Sequence, residues 1–278
     1  MNKRKIKKKA GGYRVVYIPN KTEMRILREI ASKMHVAVVQ ADVHNVVHGF
    51  RRARSPVTNA IPHVGYAVTV SFDLKDCFDH VRMSMFDPTV LSTYRHIEMC
   101  FPDGAARQGL PTSPFWCNLA LAPLDDAVVT WLDGHAVYTR YADDLSFSSN
   151  DPSMVKTLID TVPLLCDRFG FVINRSKTHV QDARFGRRIV TGIAVDDASI
   201  HSPRVLRRRL RAAKHSGKQN QINGLKEAAA CRLPSAACKE ARRDVRYLMH
   251  RLRRYDRMGV DKKLQLVTAT YDRYVAGT

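Results

Sequence analysis

The stretch AVYTRYADDLSFSSN, residues 136–150, poses the question on which the fold turns. Two aspartates, Asp143 and Asp144, stand side by side in a run of strand-forming residues. On a strand, neighbouring side chains point to opposite faces, so two adjacent carboxylates repel each other without sharing a site. The run reads instead as two strands, 136–142 and 145–149, paired as a hairpin with its turn at Ala142–Asp144. At a hairpin tip neighbouring side chains need not diverge, and both carboxylates can face one cation. Carboxylates are hard oxygen ligands suited to Mg²⁺. Taken alone, the pair is weak evidence for a metal and reads first as an ordinary polar turn, because Asp bonds its own backbone there.

A second position bears on the choice. In VTVSFDLKDCFDHV, residues 68–81, Asp73 follows a strongly apolar strand, 66–72. A carboxylate from a second strand end would complete a two-metal site, in which ions about 3.5–4 Å apart activate an attacking hydroxyl and stabilise a leaving pyrophosphate. Asp76 and Asp79 lie off the strand and read as helix-start or surface residues.

The rest of the chain frames these strands. Residues 13–19 read as a strand and 22–39 as a helix, from the spacing of Met24, Leu27, Ile30, Met34 and Val38. An arginine-rich loop, 48–63, leads into a short helix, and 104–114 is a loop punctuated by Gly and Pro. An apolar helix, 115–132, is kinked or interrupted at Pro123. Residues 153–169 form an amphipathic helix ending at Gly170. Short strands follow at 171–173 and 188–195. Beyond 203 the pattern is helical, over 203–215, about 235–257 and 262–275, which sets a boundary near residue 200.

The chain has 278 residues, 45% of them hydrophobic, enough for a real core. No apolar run reaches the length of a membrane span. Six cysteines show neither zinc-site nor disulfide-framework spacing and read as reduced, mostly buried thiols of a cytoplasmic protein. The net charge of +20 is concentrated at the two ends. Residues 1–9 carry six Lys/Arg and no acid; residues 10–200 carry 20 of each sign; residues 201–278 carry 20 basic against 6 acidic. Such clustering is the electrostatic footprint of nucleic-acid binding. The segment 1–12 reads as a disordered basic tail, with an electrostatic arm on nucleic acid as the alternative.

FDLKDCFDHV, QGLPTSP and YADD, in this order over roughly residues 13–200, resemble the catalytic core of reverse transcriptases. NAIPH (59–63), VTG (190–192), HGFRRARS and GFVINRSKT resemble the retron-type bacterial members. The resemblance implies an α/β (α+β) right-handed polymerase fold. Its fingers would span 13–65, its palm with part of the fingers 66–200, and its basic helical thumb 201–278. It implies an RNA-directed DNA polymerase that uses two Mg²⁺ ions and deoxynucleoside triphosphates. Asp73, Asp143 and Asp144 would be the catalytic metal ligands, with the Leu74 carbonyl beside them. Asp73 and Asp143 would bind most directly, with Asp144 in support.

Other roles follow from the same resemblance. Phe78 would be the aromatic gate that excludes a ribose 2′-hydroxyl, although core packing would equally explain it. Gln108 and Gly109 would pack on the incoming nucleotide, and Arg14, Lys21 and Arg25 would grip its triphosphate. Lys177 would protonate the departing pyrophosphate, with a solvated lysine as the alternative. Asn59, His63, Val190, Thr191 and Gly192 would be family-specific structural or RNA contacts. Arg207, Arg208, Arg209, Arg211, Arg246 and Arg253 would follow a nucleic-acid backbone.

The implied partners are a cognate structured noncoding RNA serving as template and primer, its DNA product and the RNA/DNA duplex. A separate effector protein in antiphage defence and a host ribonuclease H complete the set; no membrane is involved. Priming from a guanosine 2′-hydroxyl would give branched, RNA-linked multicopy DNA. A group II intron-like or other defence-associated enzyme with another priming mode is the nearest alternative. A non-catalytic RNA-binding scaffold is disfavoured by the intact aspartates, and an RNA-copying polymerase by Phe78.

Overall fold

A computed structural model describes residues 1–7 and 11–229 of the chain. In chain order its elements are β1 (Asn2–Lys7), β2 (Tyr13–Ile18), α1 (Lys21–Ala41), α2 (Pro56–Ala60), β3 (Val68–Asp73), α3 (Cys77–His80), α4 (Pro88–Ser92) and α5 (Ser113–Leu132). They continue with β4 (Val137–Tyr141), β5 (Asp144–Ser149), α6 (Met154–Arg168), β6 (His179–Asp182), β7 (Arg188–Val190), β8 (Ile193–Val195), β9 (Ile200–His201), α7 (Arg204–His215) and α8 (Gln219–Ala229). The helices expected over 235–257 and 262–275, with Arg246 and Arg253, lie outside the described residues.

Two compact units share these elements. The first comprises residues 1–46, 73–132 and 160–175. Here α1 starts with a reciprocal cap: the Asn20 side chain accepts from the Glu23 N–H at 2.9 Å, and the Glu23 carboxylate accepts from the Asn20 N–H at 2.8 Å. Its apolar stripe, Leu27, Ile30, Ala31, Met34 and Val38, is buried, and α1 packs on α5. Of the kink or interruption expected at Pro123, the interruption does not occur, and α5 runs through it. Pro123 sits on the exposed side, where water can satisfy the carbonyl its missing N–H leaves open. The expected disordered tail is also corrected, because Asn2–Lys7 pairs antiparallel with β2 over six residue pairs.

The second unit comprises residues 47–72, 133–159 and 176 onward. Its sheet has the order β4-β5-β3-β6. Val68, Val70 and Phe72 are buried along β3, and Phe72 meets Phe147 of β5 edge to face at 5.7 Å. A smaller sheet, β7-β8-β9, packs against α2. Their shared core is Val57, Ala60, Ile61, Val190, Ile193 and Val195. A basic helix, α7, and a polar one, α8, follow and pack on each other; the Gln- and Asn-containing α8 was not legible from periodicity. No helix among the described residues is long and apolar enough to cross a membrane.

Candidate active site

The hairpin is tighter than the sequence pattern indicates. Tyr141 pairs with Asp144, so only Ala142 and Asp143 form the turn, and Asp144 opens β5. Ala142 has φ +59°, a conformation costly for any residue with a Cβ unless its surroundings impose it. Two neighbours impose it. The backbone of Gly49 lies against Ala142 so closely that a Cβ at residue 49 would overlap the Ala142 N and Cα. The guanidinium of Arg140, fully buried in β4, donates to the Ala142 carbonyl at 3.2 Å. The Arg140 carbonyl in turn accepts from the His48 N–H at 2.7 Å. Asp143 and Asp144 are partly exposed at this held tip.

Asp73 is the last residue of β3, the sheet neighbour of β5. Its backbone is fixed on the side of residues 172–174: the Asn174 N–H donates to the Asp73 carbonyl at 2.8 Å and the Lys75 N–H to the Val172 carbonyl at 2.7 Å. These bonds flank the Leu74–Ile173 bridge, so the Leu74 carbonyl takes no part in that pairing. The Asp73 side chain is buried. In α3, Cys77 packs inward with its Sγ 3.5 Å from that of Cys117, while Phe78 is half-buried. Asp76 precedes α3 and Asp79 pairs with Arg107 at 2.5 Å, the helix-start and surface roles expected of them.

The loop bearing Gln108 and Gly109 is closed by Ser113, whose hydroxyl donates to the Arg107 carbonyl at 2.7 Å and accepts from the Arg107 N–H at 3.1 Å. The Gln108 carbonyl accepts from the Tyr17 N–H at 2.8 Å. Gly109, at φ +102°, lies under the Tyr17 carbonyl where no side chain fits. Arg14, Lys21, Arg25 and Lys177 are all exposed. So are Arg207, Arg208, Arg209 and Arg211 on α7, which contains no acidic residue.

NAIPH and VTG form one device. The Asn59 amide donates to the Thr191 hydroxyl at 3.3 Å, and that hydroxyl donates to the Pro56 carbonyl at 3.3 Å. Thr191 and Gly192, both at positive φ, make the β7–β8 turn. His63 is buried between Ser148 (Nδ1, 2.8 Å) and Thr139 (Nε2, 2.7 Å). Burial, helped by the nearby Arg188 charge, lowers its pKa to about 3, so the ring is neutral. Asn59, His63 and Val190 expose essentially no surface. The burial of these three fits the structural alternative, with the Asn59 Oδ1 buried without a hydrogen-bond partner; Thr191 is partly exposed and Gly192 exposed. Gly49 and Arg140 escaped notice in the sequence. An arginine within an apolar strand two residues before the turn was the available signal; nothing marked Gly49.

Among the described residues, no three His, Cys, Asp or Glu side chains form a ready-made metal cage. Mg²⁺ does not need one, since it keeps several waters and takes one or two carboxylates plus substrate phosphates. The acidic strand ends fit that demand.

Comparison with known proteins gives the fold its family. The family model described as reverse transcriptase (RNA-dependent DNA polymerase) matches residues 6–248. The chain is 31% identical over 246 residues to the retron Mx65 reverse transcriptase of Myxococcus xanthus, covering 78% of this chain and 56% of that protein. It is 28% identical over 218 residues to the retron Ec73 reverse transcriptase of Escherichia coli, covering 68% and 67% respectively. With the Escherichia coli retron Ec86 reverse transcriptase it shares 27% over 225 residues, covering 77% and 70%. The chain thus spans little more than half of the Myxococcus relative and about two thirds of the Escherichia ones. In structure it resembles telomerase from Candida tropicalis, solved with a TWJ fragment of telomeric RNA, at a TM-score of 0.53 and 12% identity over 99% of this chain and 61% of that one. That likeness is one of fold. On these matches the chain belongs to the reverse transcriptase family, and the relatives that place it there most specifically are retron enzymes.

Proposed function

We propose that this chain is the RNA-directed DNA polymerase of a retron, copying a structured RNA into DNA from deoxynucleoside triphosphates. The observation that carries the reading is the held two-residue turn, which presents Asp143 and starts β5 with Asp144 while the neighbouring strand β3 ends on Asp73. Asp73 and Asp143 would hold Mg²⁺ most directly, with Asp144 and the Leu74 carbonyl in support. The bound ions would supply the charge neutralisation that phosphoryl transfer requires.

The chain's own residues do the positioning. Gly49 and Arg140 keep the carboxylates at the tip, and the closed loop at Gln108–Gly109 offers a rigid backbone surface to a nucleotide. The half-buried Phe78 ring, one residue beyond a packed Cys77, suits a gate against a 2′-hydroxyl. Arg14, Lys21 and Arg25 are exposed cations suited to phosphates, Lys177 is exposed as well, and the arginines of α7 suit a duplex backbone. Resemblance to retron enzymes supports priming from a guanosine 2′-hydroxyl, a role beside an effector in antiphage defence, and dependence on a host ribonuclease H. Four free, buried cysteines among the described residues suit a cytoplasmic location.

The test uses the chain purified with its co-isolating RNA, deoxynucleotides and Mg²⁺. Incorporation is expected, and Asp143→Ala abolishes it while RNA remains bound. Undiminished incorporation by that variant would overturn the metal assignment. Preference for ribonucleotides would overturn the polymerase type, and DNA lacking covalent RNA would overturn 2′-priming.

A further inference from the structure

The β1–β2 ribbon carries a row of lysines that the polymerase site, which takes Arg14 alone from this ribbon, does not use. Its twelve strand residues include Lys3, Arg4, Lys5, Lys7 and Arg14 and no acid. The register pairs Lys3 with Tyr17, Lys5 with Val15 and Lys7 with Tyr13. Directly paired residues share a face, as do residues two apart. One face therefore presents three lysines in line, flanked by Tyr13, Val15 and Tyr17. At ~3.4 Å per residue the lysine row is roughly 14 Å long.

Among the described residues, only one end of this row is neutralised. Lys3 pairs with Asp103 at 2.8 Å and lies 5.0 Å from the centre of the Tyr17 ring; Tyr17 is buried and its hydroxyl also donates to Asp103. Lys5 and Lys7 have no ion-pair partner among the described residues, and Tyr13 is 65% exposed. Two like charges held two residues apart repel, and a two-stranded ribbon with little buried beneath it is marginal by itself. The arrangement gains stability once a polyanion lies along it.

We propose that the lysine face of this ribbon binds single-stranded RNA, its phosphates running along Lys5 and Lys7 and an unpaired base stacking on Tyr13. The aromatic ring selects the single strand, because a duplex offers no free base face. A protein strand is the poorer occupant, since lysines on a ribbon edge oppose strand addition. The ribbon's root is fixed to the Gln108–Gly109 loop through Tyr17, so the bound strand would lie beside the surface assigned above to the nucleotide. Binding at the ribbon requires neither metal ions nor catalysis, so it stands apart from the polymerase reading.

The test is fluorescence anisotropy of the full chain with a labelled single-stranded RNA and a duplex RNA of equal length, without Mg²⁺ or nucleotides, over a salt series. Lys5→Gln with Lys7→Gln should flatten the slope of log affinity against log salt for the single strand by about 1.4, at about 0.7 for each phosphate neutralised. Tyr13→Ala should weaken single-strand binding at least about fivefold, the lower end of one stacking interaction. Duplex binding should be unchanged in both. An unchanged single-strand slope overturns the proposal, and so does an equal loss on duplex. The assay contains neither metal ions nor nucleotides and reads binding alone, so failure of the polymerase reading and failure of the ribbon proposal are read separately.

Discussion

Replacing Gly49 by alanine tests whether the acidic turn is held or merely tolerated. The added Cβ would meet the Ala142 N, with the Ala142 Cα and the Tyr141 carbonyl carbon each 2.9 Å away. All three are backbone atoms, so no side chain can swing aside. Restoring ordinary contact, about 3.5–4.0 Å between carbons, requires the turn or residue 49 to move by at least roughly 0.6–1.1 Å, and the closer Ala142 N demands more. Overpacking of this kind costs about 1–3 kcal/mol, which a domain of ordinary stability survives. A misplacement of about 1 Å at reacting groups costs about 10²-fold in rate. The expected result is a folded Gly49→Ala protein that retains RNA, with kcat for primer extension down by about two orders of magnitude. Gly224→Ala, where a Cβ meets nothing within 4 Å, is the matched control. Wild-type kcat in Gly49→Ala would refute the reasoning, because the turn would then have accommodated the methyl without consequence for Asp143.

The companion interaction gives a graded series: Arg140→Met should lose most of kcat with nucleotide KM little changed, and Arg140→Lys should recover part of it in the same assay. Because His63 titrates at about 3 in the fold against about 6.5 unfolded, the unfolded chain binds the extra proton first. Stability should therefore fall as pH drops below about 6.5, by roughly 2–3 kcal/mol by pH 4.5 from this group. Denaturant melts of His63→Gln should show a shallower loss, the remainder including His48, whose pKa burial and the Arg54 charge also push well down. Charge reversal of Arg207–Arg209 should weaken RNA retention and flatten its salt dependence by about one unit of slope for each phosphate no longer neutralised; unchanged retention in a filter-binding series would count against α7 as a backbone track. Cys166, which burial, reinforced by Asp125, pushes up to about 12, should be alkylated only as the chain unfolds, as peptide mapping of a labelling time course would report.

Much of the fold was legible because hydrophobic period decides it locally. The α1 stripe, the β3 run and both strands of the acidic hairpin follow directly from residue order, and so does the position of Asp73 at a strand end. What stayed hidden depends on contacts distant in sequence. The lysine-rich β1 has a poor strand composition and exists through its pairing with β2 and the Lys3–Asp103 ion pair. Arg140 is paired along its backbone with Val47 and His48, and the clash that reserves residue 49 for glycine involves a turn more than 90 residues away. NAIPH and VTG were visible as words, but their hydrogen bond to each other was not.

The polar contacts of His63 have a consequence for how the chain avoids error. The imidazole bonds Thr139 on β4 and Ser148 on β5 at once, and Ser148 also bonds Thr69 on β3. Sliding either hairpin strand by a single residue would turn the pleat over and set Tyr138 or Phe147 against a neutral ring that needs hydroxyl partners. Ser148 lies four residues from Asp144, about 13 Å along the strand. The choice of which two residues occupy the tip is thus proofread from the interior, by a histidine that never reaches the reaction.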